Sequence, residues 1–66
     1  MAGKSIKYSV EYYDSNKIMV CKNPILRRQD FEADVNNMKT QLALPFTAIL
    51  VRETREESQK VDIVFL

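Results

Sequence analysis

Apolar and polar residues alternate from Ile6 onward: Ile6, Tyr8, Val10 and Tyr12 fall on one side, and Lys7, Ser9, Glu11 and Tyr13 on the other. β-Branched and aromatic residues at period two predict a strand. Asp14-Ser15-Asn16 is turn chemistry, because short polar side chains bond nearby backbone and asparagine tolerates a positive φ. "KIMVCK", residues 17–22, reads as a returning strand, so residues 4–22 are predicted to form a hairpin. Ile18 and Val20 would join the first apolar row, with Met19 and Cys21 on the reverse. Asn23-Pro24 should break this strand, since proline donates no ladder hydrogen bond.

The period then changes. Phe31, Val35, Met38 and Leu42 recur at i, i+4, i+7 and i+11, a narrow stripe on one side of a helix. Asp30, Glu32 and Asp34 crowd the first turns, where the helix dipole favours carboxylates, and read as a solvated surface. The helix is expected to start near Arg28 and to end before Pro45, since the residue preceding proline is pushed out of the helical region. "NPIL", residues 23–26, becomes a packed connector. Two further β segments follow, "FTAILVRE" and "QKVDIVFL", joined by the charged loop "TREES". The predicted class is therefore α+β with ββαββ order, one helix packed on a four-stranded, mainly antiparallel sheet. Residues 1–66 form a single domain with a flexible N-terminal tail at 1–4.

Such a sheet is about 19 Å wide at ~4.8 Å per strand, whereas one helix is roughly 10–12 Å across. The helix covers little more than half of one face, and the other face has no cover at all. Strict alternation assigns Tyr13, Met19, Cys21, Val64 and Leu66 to that open face. Either Ala48 and Leu50 or Ile49 and Val51 would join them, while Val61, Ile63 and Phe65 would face the helix. The first five are the candidate partner or dimer interface, because an apolar patch of that size calls for a covering surface.

Size sharpens this expectation. A 66-residue chain buries only about 60% of its unfolded surface, and small domains use disulfides, metals or oligomerisation to compensate. Cys21 is the only cysteine and there is no histidine, which removes an internal disulfide and the common zinc arrangements. A partner chain is left as the external source of stability, and a symmetric homodimer is the commonest form. The hydrophobic content of 45% and charged content of 29% suit a folded domain. With no apolar run near the roughly 20 residues of a membrane span, no signal-like start and one unpaired cysteine, a cytoplasmic protein without membrane contact is expected.

The net charge of +1 hides an asymmetry. Residues 1–29 carry six bases against Glu11 and Asp14, and residues 30–66 carry four bases against seven acids. Lys7, Lys17, Lys22, Arg27 and Arg28, gathered at one end of the first hairpin, are the candidate nucleic-acid contacts. No residue set points to catalysis. Cys21 has no histidine to activate it. The acids from Asp30 to Asp34 fail as a calcium loop, whose required glycine and glutamate are replaced by Val35 and Gln41. The only glycine, Gly3, cannot supply a phosphate cradle. No enzyme activity, metal or cofactor is expected. The sequence instead predicts a non-enzymatic protein-binding module, homodimeric, acting as a small inhibitor or regulator of a larger protein through its open sheet face, edge strand or helix. The end strand could also pair edge to edge across a twofold axis, since only Asp62 is charged in "VDIVFL" and no proline protects it. In size it is comparable to the accessory proteins phages turn on host machinery. An RNA- or DNA-binding accessory protein is the alternative.

Overall fold

The structure, a computed structural model, describes residues 6–66. The tail expected at 1–4, with Lys4 and Gly3, lies outside these residues. The elements are β1 (Lys7–Tyr13), β2 (Met19–Ile25), α1 (Asp30–Met38), β3 (Thr47–Glu53) and β4 (Ser58–Phe65). The sheet has strand order β2-β1-β3-β4, and every neighbouring pair is antiparallel. The α+β ββαββ layout is therefore the one predicted. Helix α1 connects edge strand β2 to β3, passing over β1 on the way.

The core lies between α1 and one sheet face. Val10 and Tyr12 from β1 and Ala48 and Leu50 from β3 meet Phe31, Val35 and Met38 of the helix, with Phe46 just ahead of β3. Tyr12 and Phe46 pack edge to face, centroids 5.7 Å apart, a favourable arrangement for two aromatic quadrupoles. Leu42 packs against the same cluster although the helix has already ended. Thr40 and Gln41 donate to carbonyls three residues back, and Thr40 Oγ1 also donates to the Asn37 carbonyl at 2.7 Å. Asn36, Asn37 and Thr40 are weak helix formers, so the last turn closes as a tight loop that still delivers Leu42 to the core.

Three other expectations need correction. Pro24 does not end the second strand but lies within β2, which is tolerated because β2 is an edge strand whose missing donor can face solvent. At the first turn Asp14 Oδ1 accepts from the Asn16 and Ile18 amides at 2.9 and 3.0 Å. The positive φ falls on Lys17, at 66°, rather than on Asn16. Ile18 and Val20, expected in the core, are 62% and 50% exposed.

Candidate interaction surface

Two bulges decide what each sheet face carries. Across β1 and β2, Tyr12 pairs with Cys21 and Tyr13 with Met19, so Val20 is an extra residue. Across β3 and β4, Leu50 pairs with Asp62 and Val51 with Lys60, so Val61 is extra. Each insertion inverts the alternation along its strand relative to an uninterrupted ladder.

Consequently the expected open face is only partly realised. Tyr13 and Met19 lie opposite each other on the helix-free side. Cys21, Val64 and Leu66 do not; they are half-buried and packed against the core under the helix. Their places are taken by Ile63 and Phe65, which strict alternation had sent to the core. Of the two registers left open for β3, Ala48 and Leu50 face the helix, and Ile49 and Val51 face away.

The helix-free face therefore reads in rows across the sheet. One row is Met19, Tyr13, Thr47 and Phe65; the next is Lys22, Glu11, Ile49 and Ile63; a third is Pro24, Ser9, Val51 and Lys60. The first two rows give an apolar corner in which Met19 and Ile63 are each 44% exposed and Phe65 is 78% exposed. Ile49 between them is buried. Tyr13 donates its hydroxyl to Glu11 Oε1 at 2.8 Å, which sets the phenol at the boundary of the corner and raises its pKa.

Beyond that corner charged side chains dominate the exposed surface, with Val51 buried and Pro24 at the β2 edge. Lys22 Nζ and Glu53 Oε2 form an ion pair at 3.1 Å that runs diagonally over Ser9, from β2 to β3. Both side chains remain a third or more exposed, so the pair contributes little to stability, on the order of 0–1 kcal/mol. Beneath it, Ser9 Oγ is buried without a hydrogen-bond partner among the described residues. Ser9→Ala is therefore expected to be neutral or to stabilise the fold by up to about 1 kcal/mol, since it removes an unpaired polar atom. Urea denaturation would check this; a loss of stability beyond 1 kcal/mol would show that the hydroxyl has a partner.

The basic residues gather only in part: Lys7, Arg27 and Arg28 share one end of the sheet. Lys17 sits in the turn after β1, a full strand length from Lys7 and from Arg27 and Arg28, which lie at the opposite end of the sheet. Lys22 is paired with Glu53, and Arg27 lies 3.5 Å from Asp30. Arg28 borders a shallow depression shared with Glu32 and Asp62. A nucleic-acid strand would meet interspersed acids rather than a continuous basic track.

A polar cluster lies under the helix that sequence reasoning assigned to solvent. Asp34 is half-buried; Tyr12 donates its hydroxyl to Asp34 Oδ2, and the Asn23 amide donates to the same oxygen at 3.2 Å. Burial, and after it the hydrogen bond to Asp34, holds the Tyr12 pKa far above its ordinary value. Burial and then the Asp34 charge also push the Cys21 thiol up, which keeps it protonated and a poor nucleophile. Tyr12 has no exposed surface, and through its hydroxyl and the Asn23 amide this cluster fastens α1 to β1 and β2. One signal for it was available: Asp34 follows Phe31 by three residues and adjoins Val35, on the flank of the apolar stripe.

Among the described residues, no group of three or more histidine, cysteine, aspartate or glutamate side chains converges as a metal site. No helix among them is long and apolar enough to cross a membrane. Comparison of the chain with protein-family models, with curated proteins and with solved structures found no match.

Proposed function

We propose that this protein is a non-catalytic binding module that engages a larger protein through the apolar corner of its helix-free sheet face, acting as a small regulator or inhibitor. The observation that carries this reading is the exposure of Phe65, Ile63 and Met19 on one sheet face, with no element above them among the described residues. A phenylalanine presents roughly 150–250 Å² of apolar surface, so the three together expose on the order of 300 Å². Patches of roughly 300 Å² and above on monomers are often functional. The surrounding rim of Lys22, Glu11, Glu53 and Lys60 is polar, which matches the anatomy of a protein interface: an apolar centre edged by solvated charge. The nucleic-acid alternative loses support, because Lys22 and Arg27 are already paired with acids.

The test is comparative capture from the native host. Immobilised wild-type protein should retain a defined partner, and cross-links should map to β2 and β4. Phe65→Asp and Met19→Asp should each lower retention by 10-fold or more, by analogy with central interface residues. Both variants should keep the wild-type far-UV circular dichroism. Equal retention by wild type and both variants would sink the reading. Retention that falls steeply with salt and disappears after nuclease treatment would transfer it to nucleic acid.

A further inference from the structure

We propose that β4 is an association edge for a second copy of this chain, with the two strands antiparallel about a twofold axis through Val64. This rests on the reading above only in taking Ile63 and Phe65 as interface residues; it adds the partner and the register.

Among the described residues the sheet has two open edges, β2 and β4. β2 is blunted by Pro24, which has no N–H to offer an incoming strand. β4 contains no proline. Its ladder direction is fixed at one end, where Phe46 and Leu66 exchange both backbone hydrogen bonds, at 3.0 and 2.9 Å. Leu66 thus turns its N–H and C=O inward. In an antiparallel ladder these groups alternate, so Val64 opposite Ala48 also points inward. Ile63 and Phe65 therefore point their N–H and C=O groups outward. The same two residues carry the exposed side chains of the helix-free face.

Only one register uses all of these features. With the axis at Val64, Ile63 of each copy faces Phe65 of the other. Each such pair exchanges two backbone hydrogen bonds, and the four apolar side chains form one contiguous row. Val64 meets its own twin on the helix side. Asp62 falls opposite Leu66 and not opposite itself, which avoids a like-charge pair. An axis at Asp62 would set the two carboxylates against each other. An axis at Ile63 would bring Phe65 against Val61, where the bulge interrupts the ladder.

The monomer also carries a guard. Asp62 Oδ1 accepts from the outward Ile63 N–H at 2.9 Å. Pairing must displace this contact, so Asp62 weakens association. The interface is also small: a few paired residues bury less than the roughly 1,200 Å² typical of stable complexes, which places the dimer in the micromolar range or weaker.

Sedimentation velocity of the full chain from about 10 µM to 1 mM, spanning that range, tests this. The weight-average mass of wild type should rise from 7.7 kDa toward twice that value. Phe65→Pro should remain monomeric with unchanged thermal stability, because it deletes an outward donor that β3 does not use. Ile63→Lys, which keeps every backbone donor, should do the same by placing two cations across the axis. Asp62→Ala should shift the transition to concentrations about 5-fold lower, having released the guarded amide. A wild type that is monomeric throughout overturns the proposal, even if its edge accepts an extended segment of another protein. So does association undiminished in a folded Phe65→Pro or Ile63→Lys. Neither outcome touches the proposed function, which fails separately if Phe65→Asp and Met19→Asp both leave partner capture intact.

Discussion

Leu50→Ala is expected to remove a large part of the free energy that holds this protein folded. Leu50 is 1% exposed, on the central strand, paired with Val10 on one side and Asp62 on the other and packed beneath Phe31 and Val35. Truncating a buried leucine costs about 2–5 kcal/mol, the transfer term plus the cavity left behind. A domain of 66 residues holds only about 3–10 kcal/mol in total. One side chain thus accounts for a large part of the margin. Urea unfolding followed by circular dichroism should show a much lower midpoint with an unchanged slope. Ile63→Ala, on the open face, should cost about 1 kcal/mol or less. If the two substitutions cost the same, the core does not lie where the helix covers the sheet.

Asp34→Ala is the second large effect. It leaves the fully buried Tyr12 hydroxyl without its acceptor and frees the Asn23 amide, at a cost of about 1–3 kcal/mol. Tyr12→Phe in the Asp34→Ala background should recover part of that loss, since no unpaired hydroxyl remains; coupling of this kind separates a hydrogen bond from simple packing. The same bond predicts a pH dependence. The Tyr12 pKa is raised in the folded state, chiefly by burial and then by Asp34. A raised pKa means that the fold resists ionisation. Its contribution is therefore fully present below the unfolded value near 10 and is lost as pH climbs beyond it. Stability of wild type should fall steeply between roughly pH 9 and 12, and Tyr12→Phe should flatten that fall. An unchanged alkaline slope in Tyr12→Phe would show that another group governs the transition.

The candidate surface could be half inferred from sequence. Tyr13 follows Tyr12 in an unbroken strand, so its opposite orientation is a matter of period alone. Met19 could be placed for the same reason, being just past the turn and before the first bulge. Alternation alone puts Cys21, Val64 and Leu66 on the wrong face because each lies beyond an inserted residue. The "VDIVFL" segment is apolar on both sides from Ile63 onward, so its composition is compatible with either orientation. Local sequence reads Asp34 as a solvated carboxylate because its two partners are 11 and 22 residues away. No local pattern marks a contact of that span.

Sequence alone determined the order of the elements, the helix stripe of Phe31, Val35 and Met38, and the presence of a sheet face that one helix could not cover. These are consequences of local periodicity and of the unequal widths of a helix and a four-stranded sheet. Only the tertiary structure decided which apolar residues that face displays, and that β4 comes last in the order β2-β1-β3-β4. Side-chain direction in a strand depends on parity, and a single bulged residue, Val20 or Val61, reverses it. Whether a residue is accommodated as a bulge is settled by the partner strand, which lies elsewhere in the chain.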